Sequence, residues 1–273
     1  MEVSSHLLLG SAFDGRHVGK MRLAQELIAH VPSLSLTLFN RGYYSVGLLH
    51  QWQQAGESTH WMLPARKDLQ FTVAQQLNEN DALITLTPSP QARKRFESLP
   101  DTIEARLTTY YVKGKAYRVP SSLTDPLRFP YDSLTEVYAE RWEIELGFRE
   151  MKQSLLHANY TLRSKKPDMV RQELWGLLLA YNLVRIAMLD ATKELDITPI
   201  RLSFSHCARH VMAFLTTIPI RSANKLPLHY QELLGTLKLF VLPDKRPERQ
   251  YPRAVRRKPK KYPYKRKCQS VVN

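Results

Sequence analysis

Ile103, Ala105, Leu107, Thr109 and Tyr111 fall at every second position, and the long blocks that follow use helical spacing instead. Alternation with period two marks a strand with two unlike faces, whereas a recurrence near 3.6 marks a helix packed on one side. A chain that changes period in this way must combine a sheet with helices. Lys113-Gly114-Lys115 supplies a turn and residues 116–119 a return strand, so the stretch reads as a β-hairpin. Upstream, residues 6–12 read as a short strand closed by Asp14-Gly15, and residues 21–30 as a helix stopping before Pro32. Residues 34–39 read as a strand ending at Asn40-Arg41-Gly42. Residues 43–54 come next as a helix capped near Ser45 and stopped by Gly56, and residues 59–63 as a further strand. This order is that of an α/β protein.

The expected organisation has five parts: 1–66, the first part of a core; 67–125, an all-β insertion that includes residues 71–73 and 82–87; 126–215, the second part of the core; 216–243, C-terminal helices; and 244–273, a basic tail. Long helices are expected over 134–156 and 169–195, with shorter ones near 205–215 and 230–240.

The charge is concentrated. The 273 residues carry 40 Lys+Arg against 25 Asp+Glu, a net of +15, but 12 basic residues and one acid (Glu248) lie between Lys245 and Lys267. The tail therefore holds +11 of the +15, and the body is nearly balanced. Within the tail Arg256, Arg257, Lys260 and Lys261 interleave with Tyr251, Tyr262 and Tyr264, a pattern suited to phosphates and exposed bases, without sequence specificity. Hydrophobic content of 43% and charged content of 24% are globular values. Two cysteines, Cys207 and Cys268, exclude a disulfide scaffold. The first residues lack a basic region and their apolar run stops at Gly10, unlike a signal peptide. The greasiest stretch, 174–189, is interrupted by Asn182 and Arg185, whereas a membrane span needs about 20 apolar residues; it reads as a buried helix. A cytoplasmic protein with a nucleic-acid partner is the expectation.

Residues 134–156 carry the chemistry. At about 100° per residue, Tyr138, Arg141, Glu145, Arg149 and Lys152 share one stripe of the helix. Val137, Ile144, Phe148, Met151 and Leu155 form an apolar face, and Glu140, Glu143 and Glu150 a solvent face. Glu145 is thereby set apart from the other three glutamates, at the edge of the buried face between cations. A solvated salt-bridge stripe has the same appearance, so the stripe by itself decides nothing.

Tyr138, Arg141, Glu145 and Lys152, at these spacings, resemble the Tyr/Arg/Glu/Lys motif of insertion-sequence transposases of the IS-four group. The segment Leu36-Thr-Leu-Phe-Asn-Arg-Gly-Tyr-Tyr-Ser45 is similar to that family's strand end and Gly-aromatic-Tyr-Ser turn. Leu162-Arg-Ser-Lys-Lys-Pro-Asp168, Gln172-Glu-Leu-Trp-Gly176 and Ala180-Tyr-Asn-Leu183 are similar to the region C-terminal to the motif. The resemblance runs from about Ser5 to the tail. It implies a ribonuclease-H-like (RNase-H-like) core with a β insertion before the glutamate helix. It also implies two Mg²⁺ or Mn²⁺ ions held by two Asp and one Glu, which promote in-line displacement at insertion-sequence ends. Glu145 takes the place of the family's catalytic, metal-binding Glu; Tyr138, Arg141 and Lys152, with Arg149 beside them, become contacts to the transposon-end backbone.

The chain departs from that pattern at two acids. Asn40 stands where the family's second Asp is expected, and a neutral amide is a poor partner for a hard divalent cation. The early Asp14 lies too close to Asn40 to leave room for the return hairpin before the helix, and is expected instead to make a turn with Gly15. The first Asp and its strand are thus expected to be absent, and the chain to be an inactive, C-terminal portion of a transposase. The alternative is a non-catalytic DNA-binding fragment that forms homo-oligomers or mixed oligomers with full-length transposase and inhibits it. His206, Cys207 and His210 have ligand-like spacing but no second cluster, so they read as helix residues, and Trp142 and Trp175 as packing residues.

Overall fold

The sheet begins where a short strand can pair in parallel with the next. The computed structural model describes residues 1–15, 17–96, 99–112, 114–155, 162–218 and 224–244. Helix α1 (Lys20–Glu26), continued by a 3-10 turn to His30, leads into strand β1 (Ser35–Leu38). Helix α2 (Val46–Gln53) then crosses over to strand β2 (Thr59–Met62), parallel to β1 in the register Ser35 with Thr59 through Leu38 with Met62. Ser45 caps α2 by accepting the Leu48 N–H, as expected.

Four antiparallel strands extend the same sheet: β3 (Thr72–Asn78), β4 (Asp81–Leu86), β5 (Ile103–Val112) and β6 (Lys115–Ser121). The spatial order is β1-β2-β6-β5-β4-β3, with helix α3 (Pro90–Arg95) between β4 and β5. Gly114 takes φ of 73° at the β5–β6 turn, a conformation open to glycine. The sheet is thus mixed α/β, with β2 joined to β6 through Met62 and Ser121.

Both faces of the sheet are covered. Trp61, Leu63, Ile84, Ala105 and Leu107 pack with Leu48, Leu49 and Trp52 of α2 on one side. Met62 and Val119 pack with Leu134 and Tyr138 of helix α4 (Tyr131–Ala139) on the other. The period-two reading of β5 holds, but its second face is buried too. There Arg106 is held by Asp81 through Nε at 2.8 Å and Nη2 at 2.5 Å, and donates to the Phe129 carbonyl at 2.6 Å. This fully paired, buried charge was invisible to a pattern of apolar residues.

A second core belongs to the helices. Helix α6 (Pro167–Thr192), α7 (Phe204–Thr217) and α8 (Leu226–Leu237) bury Tyr181, Val184, Met188, Cys207, Val211 and Leu237. Helix α6 is long and apolar enough by composition to cross a membrane, yet Arg185 lies fully buried within it.

Three expectations need correction. Residues 6–12 are not a strand: the backbone N–H and C=O of Leu8 are bound by the side-chain amide of Asn182, each at 2.9 Å, which replaces a strand partner. Residues 134–156 are not one regular helix. After α4 come a 3-10 turn (Glu140–Trp142), helix α5 (Glu143–Arg149) and a π-helical turn (Glu150–Leu155). Each change of pitch shifts the side-chain phase, so a wheel at constant pitch misplaces the residues beyond it. Trp142 and Trp175 are not packed inside: both are more than half exposed, and Trp175 meets only Phe13 among rings of the described residues.

Candidate active site and nucleic-acid interface

The site lies at the carboxyl end of β1. The strand ends with the Phe39 N–H bound to the Met62 carbonyl, and Asn40 then opens a 3-10 turn (Arg41–Tyr43) by accepting the Tyr43 N–H at 2.9 Å. Asn40 is exposed at this rim. Above it passes the junction of α4 and α5.

Tyr138, the penultimate residue of α4, is buried at 6% exposure against Tyr110 of β5, with ring centroids 5.3 Å apart. Burial raises its hydroxyl above the ordinary tyrosine pKa, against the pull of Arg141. Arg141, in the 3-10 turn, lies with its guanidinium carbon 5.7 Å from the Tyr138 ring centroid. Its Nη1 donates to Asn40 Oδ1 at 2.9 Å and lies 3.9 Å from Glu145 Oε1. Four sequence-predicted residues, Asn40, Tyr138, Arg141 and Glu145, therefore converge from a strand end, a helix end and the next helix. The Arg141 hub exists because the 3-10 turn carries it round toward β1 while Glu145 comes one turn later.

The remaining predicted residues lie apart. Arg149 and Lys152 are exposed, and the Lys152 ammonium is 5.9 Å from the Phe148 ring. Arg256, Arg257, Lys260 and Lys261 fall outside the described residues. The Asp14 carboxylate accepts the Gly15 N–H at 2.6 Å and lies 3.9 Å from Arg171, and the turn begins after it, with the Gly15 carbonyl accepting the Val18 N–H at 2.9 Å. Cys207 is fully buried, and burial pushes its thiol up to about 11; His206 and His210 flank Phe240.

The donor set does not fit a pair of divalent cations. One neutral amide oxygen accepts from Arg141 at 2.9 Å and one carboxylate oxygen lies 3.9 Å from the same nitrogen, so a positive group of the protein stands between the two oxygens. Hard cations of this kind take six or more oxygens, with carboxylates to balance their charge. Among the described residues no group of three or more His, Cys, Asp and Glu is placed to hold a metal.

One charged cluster on this segment was missed. Glu150, assigned to the solvent face, points inward at the start of the π-helical turn, after the 3-10 turn has shifted the phase of the helix. It is bound by Arg185, and Tyr181 donates to it at 3.0 Å. His6 Nδ1 lies 2.8 Å from Arg185 Nη2 and 3.3 Å from Glu150. His6 Nε2 lies 3.3 Å from Glu143, a charge contact without hydrogen-bond alignment. Burial pushes the Glu150 carboxyl up, but the His6 hydrogen bond and Arg185 outweigh it, so its pKa ends below the usual value. The sequence signal that could have found this cluster is Arg185 itself, a lone cation inside an apolar helix that needs a partner.

The family described as "Transposase DDE domain" matches residues 1–183. Over 274 aligned residues the chain is 44% identical to "Transposase InsG for insertion sequence element IS4" of Escherichia coli (strain K12), covering 100% of this chain and 62% of that protein. It is 32% identical over 110 residues to "Putative transposase InsZ" of the same organism, covering 40% of this chain and 34% of that protein. The chain thus spans less than two thirds of the length of either relative. With the family match extending over more than half of its residues, the chain belongs to the DDE transposase domain family.

Proposed function

We propose that this chain acts on insertion-sequence DNA as part of a transposase, and that on its own it does not cut or join strands. The observation that carries the reading is the meeting of Asn40, Arg141 and Glu145 at the carboxyl end of β1. Two-metal phosphoryl transfer uses a pair of cations clamped by several carboxylates around the attacking and leaving oxygens. Here the strand end offers an amide that is already bonded to Arg141, and that guanidinium also lies 3.9 Å from the Glu145 carboxylate. Arg141, Arg149 and Lys152 contact the DNA backbone, Tyr138 is too buried to do so and instead supports Arg141, and the tail cations Arg256, Arg257, Lys260 and Lys261 add salt-dependent affinity. The RNase-H-like core and the β-insertion reading of residues 67–125 belong to the same proposal, as does a cytoplasmic location. The test is incubation of the pure protein with Mg²⁺ or Mn²⁺ and DNA carrying insertion-sequence ends. No nicking is expected; specific nicking at the 3′ end of the element refutes the reading.

A second reading is inhibition of a full-length transposase through mixed oligomers. Its support is an exposed apolar stripe on α6, where Trp175, Leu179, Leu183 and Ile186 are each more than 40% exposed. Addition of this chain to an active relative is expected to reduce transposition in a dose-dependent way. No effect on transposition together with no co-purification sinks it.

A further inference from the structure

A basic hollow adjoins the site at the rim where β1 and β2 end together. Because the two strands are parallel and in register from Ser35 with Thr59 to Leu38 with Met62, the segments beyond them emerge side by side. After β1 the chain presents Arg41, Gly42 and Tyr44; after β2 it presents Arg66, Lys67 and Asp68. These six residues line a cavity of about 340 Å³. Ligands of open α/β sheets bind in this position, in the crevice outside the carboxyl ends of parallel strands.

The charges of the hollow are unequal. Arg66 is held by Asp68 through Nε and Nη2, each at 3.1 Å. Arg41 and Lys67 are exposed and make no ion pair among the described residues. Lys20 adds a third free charge: its ammonium lies 5.2 Å from the Tyr43 ring centroid and directly over Gly42, where a Cβ would come within 2.2 Å of it. A side chain at position 42 would displace that lysine. The hollow is therefore lined by the exposed Arg41 guanidinium and Lys67 ammonium, with the Lys20 ammonium beside it over Gly42, against one carboxylate already neutralised by Arg66. Arg41 follows Asn40 directly, so a ligand in the hollow lies next to the Arg141 hub.

We propose that this hollow binds a phosphodiester of the nucleic-acid backbone, gripped by Arg41, Lys67 and Lys20, and so sets the path of the strand past Asn40 and Glu145. The inference rests on the DNA-acting reading above and gives it a site separate from the α4–α5 stripe and from the tail. Cations grip phosphates whatever the base sequence, and each phosphate neutralised steepens the dependence of binding on salt.

The experiment is fluorescence anisotropy of a labelled DNA duplex with the full chain across a salt series. Arg41→Ala/Lys67→Ala is compared with Lys94→Ala/Lys225→Ala, which removes two exposed cations elsewhere. The rim variant is expected to lower the slope of log affinity against log salt by about 1 to 2 and to weaken binding at least tenfold. The distant pair should do neither, and Arg41→Lys/Lys67→Arg should keep most of the affinity. Circular dichroism melts check that the variants fold. Equal losses in the rim and distant variants, or an unchanged slope in the rim variant, overturn the subsite while leaving DNA binding intact. No binding by the wild-type chain removes the DNA reading and the subsite with it. Inorganic phosphate at millimolar concentration is expected to compete only weakly. If it saturates the hollow and displaces no DNA, the hollow is a free-anion site and the proposal fails.

Discussion

Two charged clusters sit within a dozen residues of one another on the α4–α5 segment, and they differ in everything except composition. At the rim, Arg141 joins Asn40 and Glu145, with Arg141 at 21% and Glu145 at 51% side-chain exposure. Beyond the end of α5, Glu150 meets a fully buried Arg185, with His6 and Tyr181 closing the network. The rim cluster is solvated, and its charges can exchange protein partners for a ligand at small cost. The inner cluster has no such freedom, because releasing Arg185 leaves a bare charge in an apolar core. Residues that interact with DNA need the first environment; residues that fix the helix to α6 need the second.

The largest effect should therefore come from breaking the inner cluster. Glu150→Ala strips Arg185 of its carboxylate and is expected to cost about 3–5 kcal/mol, read as a fall in the urea midpoint. Arg106, equally buried and paired with Asp81, should respond to Asp81→Ala on the same scale. If either variant melts like the wild type, burial is not what separates the clusters.

A smaller, graded effect should appear in acid. The folded pKa of Glu150 is lowered, so its contribution is complete above the unfolded value of about 4.5 and is lost as pH falls through the folded value. Thermal melts below pH 4.5 should fall more steeply for the wild type than for Glu150→Gln, and the two slopes should match near neutrality. Parallel curves across the acid range would contradict the assignment.

The smallest effect belongs to the rim. Glu145→Gln should change stability by no more than about 0.5 kcal/mol, the usual range for an exposed substitution. Arg141→Ala removes only a half-solvated pair and should lower stability by less than about 1 kcal/mol, while its DNA affinity drops measurably in the anisotropy assay. A stability loss at Arg141 comparable with that at Glu150 would erase the distinction between the clusters.

Much of this was legible in the order of residues. The alternation of Ile103, Ala105 and Leu107 foretold β5, and Ser45 foretold the start of α2, because both signals act over a few neighbouring residues. The Tyr138, Arg141 and Glu145 spacing put three side chains near one another across the helix junction, and Asn40 accepts a hydrogen bond from Arg141. Residues 6–12 misled because an apolar run specifies burial but not a partner; Asn182, far along the chain, supplied the hydrogen bonds a strand would have. Glu150 misled because a wheel assumes constant pitch, and the pitch changes twice between Tyr138 and Glu150.

The sequence by itself determined the alternation of strands and helices, the family, and the neutral amide at position 40. These rest on local periodicity and on residue identity. Only the tertiary structure decided which of four glutamates on one segment stays at the solvated rim and which is bound to a buried arginine. It likewise decided that Arg41 and Lys67, on separate loops, share one hollow. Both outcomes depend on contacts between residues far apart in the chain, where desolvation assigns each charge its partner.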